Sequence, residues 1–189
     1  MNSDGIKYFW GKDPHDFGSA AVEESLKFGG GGIMIWGCMS WLGVGGMDRV
    51  VGRMNFEQLL GILERCLVPT LDQVACQVPS LDKTDIIFQQ DNDRKHTSKL
   101  IKEWLASREI QTMILPSQSP DLNPIEHLWG QLKRRLGDYQ EQPKGMHELW
   151  ARIEEIWSTM DAKSCQTLIE GMLFRIAAFV KSKGGHTKY

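Results

Sequence analysis

The spacing of apolar residues changes period several times along this chain, and each change marks an element. Between Phe28 and Gly52, FGGGGIMIWGCMSWLGVGGMDRVVG holds two β-type runs, IMIWGCMS and GMDRVVG, broken by glycines and joined by WLGVG, which predicts a glycine-rich hairpin. The glycines at 29–32 read as a flexible entry to the first strand, because no Gly-Lys-Ser/Thr follows them as a phosphate-binding loop requires. From Asn55 the period becomes helical: Phe56, Leu59, Leu60, Leu63 and Leu67 recur behind an Asn cap, and Pro69 is expected to end that helix. Residues 70–84 admit two readings, a continuation past Pro69 or a second short helix. Upstream, IKYFWGK at 6–12 reads as a short strand or extended arm, followed by a polar, proline-containing stretch to about Glu24.

DIIFQQ at 85–90 is a short apolar strand. Thr97 or Ser98 then caps a helix striped by Leu100, Ile101, Trp104 and Leu105, and QTMILP follows as a strand stopped by Pro116. Strand, helix, strand with short links predicts a right-handed βαβ unit with parallel strands. SQSPDLNP is turn chemistry and leads into a helix that Asn123 caps and Pro124 opens, with Ile125, Leu128, Trp129, Leu132 and Leu136 as its buried face. Two further helices are expected. Leu149, Trp150, Ile153, Ile156 and Trp157 stripe the first, and Leu168, Ile169, Met172, Leu173, Ile176, Phe179 and Val180 the second.

Composition adds less. The chain has 189 residues, 41% of them hydrophobic, enough to fill the core of one domain. Twenty-two basic against 24 acidic side chains give a net charge of −2, so a polyanion partner must be met by local patches. Cys38, Cys66, Cys76 and Cys165 have no zinc-ligand spacing and read as reduced thiols, several of them buried, in an intracellular protein. No signal-peptide layout and no membrane-length apolar run is present, so no membrane partner is expected.

The chemistry gathers at FQQDNDRKHTS, residues 88–98. Asp91 lies at the carboxyl end of a strand in a parallel unit, where open α/β sheets place ligands. Glu126 lies in the first turn of the helix beyond the next strand. The topology therefore brings both carboxylates to one sheet edge, where hard oxygens suit a divalent cation. Taken singly, each acid has a plainer role. Glu126 with Asn123 is close to a capping box, and Asp91 and Asp93 suit a helix entry. Lys133, Arg134 and Arg135 read as a solvated helix end, His127, His147 and His186 carry no signal, and the tryptophans read mostly as core.

FQQDNDRKHTSK followed by LPSQSPDLNPIEHLWGQLKRRL resembles the second half of the catalytic domain of mariner-superfamily DDE transposases, relatives of retroviral integrases. Asp91 and Glu126 are separated by 34 residues, the interval of one large branch of that family. KFGGGGIMIWGCMSWLGVGGMDRVVGRMN is similar to the family's hairpin, so the resemblance spans most of residues 3–136. It implies an α/β, RNase H-like mixed sheet flanked by helices, with two extra C-terminal helices at about 143–183, in one domain covering 1–189. It also implies Mg2+ (or Mn2+) held by Asp91 and Glu126, and DNA cleavage at transposon ends followed by strand transfer to target DNA. Arg94, Lys95 and His96 would contact phosphates, with Arg94 where the family more often has Pro.

The family carries a first acid on a central strand upstream of the stretch matched by NSDGIKYFWGK. The expectation is therefore a domain truncated at its N-terminus, lacking that strand between the hairpin and DIIFQQ, with little autonomous activity. Asp4, in the turn-like NSDG, reads more naturally as a turn residue, and Asp93 shares the face of Asp91 only if the chain stays extended past the strand end. The IKYFWGK arm or a second chain would have to cover the exposed strand edges. The resemblance further implies a nuclear location and a homodimer or mixed assembly on DNA. The competing readings are a non-catalytic DNA- or transposase-binding remnant and an unselected gene fragment.

Overall fold

The structure is a computed structural model that describes residues 24–28, 31–90, 98–113 and 122–181, with side chains from residue 32 onward. Its organising element is β2 (Gly31–Ser40), a strand with almost no polar side chains. It pairs antiparallel with β3 (Gly43–Val50) through the predicted tight turn, with a register shift between Gly37 and Met39. Because side chains alternate across a strand, the two faces of β2 feed two cores. Ile33 and Ile35 pack with the C-terminal helices, whereas Trp36 and Cys38 pack with the helices that follow the hairpin. Gly37 shows why a glycine interrupts the run: a Cβ there would sit 2.8 Å from Cη2 of Trp129.

One strand was not expected. Glu24–Phe28 forms β1, antiparallel to the first half of β2, with Glu24 opposite Ile35 and Phe28 opposite Gly31. Gly31 and Gly32 are thus already strand residues and not merely a flexible entry. ESLKF mixes charged and apolar residues too evenly to stand out by pattern, and pairing with β2 decides its state.

Asn55 caps α1 (Phe56–Ile62) as expected, its side chain accepting from the Gln58 N–H at 2.8 Å. Pro69 does not end the helix. The backbone winds as a π-helix over Leu63–Leu67, with the Val68 N–H reaching Leu63 O, and continues as α2 (Val68–Gln77). Proline lacks an N–H and crowds the carbonyl four residues back, and one wider turn removes that conflict. The continuation reading of LDQVACQV is therefore the observed one. A short 3-10 turn at Lys83–Asp85 then leads to β4 (Ile87–Phe88).

The βαβ unit is present. β4 and β5 (Gln111–Thr112) are parallel, joined through α3 (Lys99–Ser107), whose cap is Ser98. Of its expected stripe, Ile101 and Leu105 are buried and Trp104 is half-buried, but Leu100 is exposed. Among the described residues the five strands form two sheets, β1-β2-β3 and β4-β5, not one continuous mixed sheet. The face predicted for α4 (Ile125–Gly137) is borne out residue by residue: Ile125, Leu128, Trp129, Leu132 and Leu136 are all buried. α5 (Met146–Ser158) follows suit, except that Trp150 is half-buried.

The C-terminal region departs from expectation. Among the described residues three helices follow α4 instead of two, because the second predicted stripe divides at Gly171 into α6 (Ala162–Glu170) and α7 (Met172–Lys181). α6 starts at Ala162 behind Asp161, whose carboxylate accepts from Ser164 N–H at 2.9 Å. Leu168 is buried, but Leu173, Phe174, Ile176 and Val180 of α7 are exposed. The helical period was right, yet periodicity alone does not say which way a terminal helix turns. No described helix is long and apolar enough to cross a membrane.

Candidate active site

The candidate site is where β4 ends and α4 begins. The buried stripe fixes the rotation of α4 and leaves Glu126, in the first turn, on a half-buried flank. The N-terminal end of a helix dipole favours a carboxylate there. Asn123 is itself buried, with its side-chain oxygen accepting from the Ile125 N–H at 3.4 Å. That is a cap on the N–H two residues along, and Pro124 rather than Asn123 is the residue directly before the regular helix.

A side chain connects this turn to the strand. Gln89, just beyond β4, donates from Nε2 to the carbonyl of Leu122 at 2.7 Å. The Met113 N–H donates to Phe88 O at 2.9 Å, prolonging the contact between the two parallel strands. The carboxyl end of β4 is thus tied directly to the entry of α4, four residues before Glu126. Asp91 is two residues past Gln89. Asp91 lies outside the described residues, as do Asp93, Arg94, Lys95 and His96 and, at the N-terminus, Asp4 and the IKYFWGK arm.

A cleft of about 260 Å³ lies alongside, walled by Trp36–Ser40 of β2, Leu67 and Thr70 at the start of α2, Ile86–Gln90 around β4, and Asn123–Ile125. It separates the two sheets. β1 pairs only with Gly31–Ile35, so on this side the second half of β2 meets no strand among the described residues.

Hard carboxylate oxygens suit Mg2+ or Mn2+, and the Gln89–Leu122 bond ties the last described residues before Asp91 to the turn that leads into Glu126. Three of the thiols are poor ligands for such a cation, Cys38 in the cleft wall among them. Burial pushes Cys38 up to about 11, Cys66 up to about 12 and Cys165 up to about 11, so all three stay protonated. Cys38 donates toward Thr70 Oγ1, which also accepts from Gly46 N–H and donates to Cys66 O. This small network staples β3 to the π-turn.

The profile of the DDE superfamily endonucleases matches residues 47–149, more than half of the sequence and inclusive of both acids. The chain belongs to the DDE superfamily endonucleases. This DDE domain is 38% identical over 165 residues to the transposable element Tcb1 transposase of Caenorhabditis briggsae, covering 87% of this chain and 57% of that protein. It spans between about half and two thirds of the length of the curated transposases it matches. Among solved structures, the Mos1 transposase catalytic domain with raltegravir and Mg superposes with a TM-score of 0.76 at 19% identity, covering 89% of this chain and 84% of that one. The Mos1 strand transfer complex gives 0.71 at 17% identity, covering 100% of this chain and 50% of that one. These likenesses carry the fold: an RNase H-like α/β domain of Tc1/mariner transposase type.

Sequence reasoning overlooked three residues at this site. Gln89 was read only as the end of a strand, His127 as carrying no signal, and Arg175 not at all, although it is the one buried charged residue among those described. His127 lies beside Glu126, and its Nδ1 is 3.4 Å from Nη1 of Arg175. Arg175 breaks an apolar helix, MLFRIAAFVK, and that interruption was the available clue.

Proposed function

We propose that this chain forms the greater part of a transposase catalytic domain that cuts and joins DNA strands with a divalent cation held by Asp91 and Glu126. The observation that carries the reading is the Gln89–Leu122 hydrogen bond, which ties the segment leading to Asp91 to the turn bearing Glu126 in a chain of the DDE family. When bound, Mg2+ or Mn2+ would supply charge to activate the attacking oxygen and stabilise the leaving one. The protein's own part is to orient two hard-oxygen ligands at the mouth of a cleft. α4 fixes Glu126 through its buried face, and Gln89 sets the spacing between strand end and helix entry. Arg94, Lys95 and His96 follow Asp91 directly and would hold phosphate oxygens beside the ligands.

Two carboxylates hold a divalent cation weakly, and a third from a strand seated between β2 and β4 would complete the set. This stretch of chain alone is therefore expected to bind metal weakly and to show little strand transfer. DNA at transposon ends and in the target, a paired assembly on that DNA, and a nuclear site of action complete the proposal. For the DNA and the assembly on it, support comes from the Tc1-type relatives and from the Mos1 complex described above.

The test is a titration of Mn2+ into the purified chain, with and without a short DNA duplex, alongside Asp91→Ala and Glu126→Ala. Weak binding that either substitution abolishes is the expected result. Binding that both variants retain would remove the acids from the site. DNA binding with no metal dependence at all would favour the non-catalytic reading.

A further inference from the structure

We propose that Arg175 is a positioning residue for the candidate site, bracing the first turn of α4, and with it Glu126, through His127. Its functional consequence rests on the metal-site reading above; its structural part stands by itself.

The orientation of α7 runs against the hydrophobicity of its side chains. This helix carries Leu173 and Phe174, which are 76% and 74% exposed, while Arg175 is 6% exposed. Burial of a leucine or phenylalanine side chain is worth about 1.5–3 kcal/mol, so hydrophobic ordering alone would rotate the helix the other way. A guanidinium is buried only where its N–H groups find acceptors, since an unpaired buried charge is far more costly. Polar contacts made by Arg175 therefore set the rotation of α7.

One of those contacts is Nη1 to Nδ1 of His127 at 3.4 Å. Arginine can only donate, so this contact has Nδ1 of His127 as its acceptor. His127 is next to Glu126, in the opening turn of α4. The other buried polar residue among those described, Asn123, caps the same turn. Both of these buried polar side chains are thus at the helix entry that presents the carboxylate. Together with the Gln89–Leu122 bond, they hold that entry from the strand side, from the cap and from α7.

The experiment compares the wild-type chain with Arg175→Met, Arg175→Lys and His127→Phe by hydrogen–deuterium exchange and by Mn2+ titration. Arg175→Met is expected to speed exchange at residues 125–129 about tenfold and to weaken Mn2+ binding by about tenfold, the lower end of what losing a group that supports a metal ligand causes. Exchange in α5 should stay as in the wild type. Arg175→Lys keeps a cationic donor and should recover part of both losses. His127→Phe should reproduce the local loosening, and it takes over the comparison if Arg175→Met does not fold. Unchanged exchange at 125–129, or acceleration spread equally over α4, α5 and α6, overturns the positioning role. A wild-type chain that ignores Mn2+, or a Glu126→Gln variant that binds it normally, overturns the metal reading instead. In that case the exchange comparison alone decides for or against Arg175.

Discussion

Replacing Gly46 by alanine tests how the hairpin is mounted on the helices. A Cβ at Gly46 would stand 2.6 Å from the Cα of Cys66, 2.7 Å from its Cβ and 2.8 Å from its carbonyl oxygen. Carbon atoms in ordinary contact are about 3.5–4.0 Å apart, so β3 and the π-turn must separate by about 1 Å. Two of the opposing atoms belong to the backbone, and no rotamer change relieves the clash. Overpacking of this kind costs about 1–3 kcal/mol. Separation also stretches the bond from Gly46 N–H to Thr70 Oγ1, now 2.9 Å, whose net worth is about 1 kcal/mol. At about 2–4 °C per kcal/mol for a chain of this size, a total near 3 kcal/mol lowers Tm by roughly 6–12 °C. Gly130→Ala supplies a control of opposite sign. Gly130 lies inside α4 with nothing within 4 Å of its would-be Cβ, so alanine should stabilise the helix by up to about 1 kcal/mol. Thermal melts followed by far-UV circular dichroism measure both. A Gly46→Ala melt within about 1 °C of the wild type would refute the packing argument, because it implies well under 1 kcal/mol of strain.

Gln89→Leu deletes the donor to Leu122 O and should cost about 1 kcal/mol in denaturant melts, together with weaker Mn2+ binding if the strand end and the helix entry share a site. Trp157 and Trp129 stack with ring centroids 5.1 Å apart, but only Trp157 donates from its indole N–H, to Gly45 O at 2.9 Å, while the Trp129 N–H has no partner among the described residues. Trp157→Phe should therefore destabilise by about 1 kcal/mol more than Trp129→Phe, and equal melts would contradict that ranking. Cys38, Cys66 and Cys165 have raised folded-state values against an ordinary value of 9.0, so the unfolded chain releases these protons first. Their contribution is intact below pH 9 and declines as pH rises through about 11 to 12, which Tm measured across that alkaline range will show. At neutral pH a thiol reagent should label exposed Cys76 rapidly and the three buried cysteines only on unfolding.

Elements with a strong, uninterrupted period were legible in the sequence. The face of α4 was read correctly because five apolar residues at 3.6-residue spacing leave one way to bury them. The hairpin, the Asn55 cap and the parallel β4–β5 pair were equally local decisions of pattern, cap and link length. The family, too, was written in the run from Asp91 to Glu126 and its surroundings, and the profile match agrees.

Tertiary structure decided whatever depended on a distant partner. Pro69 would stop an isolated helix, yet the buried Leu63, Cys66, Leu67 and Leu71 hold the chain in line and the backbone yields a π-turn. β1 exists because β2 offers it an edge. The apolar stripe after Leu168 suggested a buried helix, but the side chain α7 buries is the charged one, since Arg175 finds His127 48 residues away in sequence. Gln89 and Leu122, 33 residues apart, meet for the same reason. Periodicity records which face of an element is apolar, whereas a hydrogen bond between remote residues exists only after the elements have packed, and here such bonds hold the helix entry that presents Glu126.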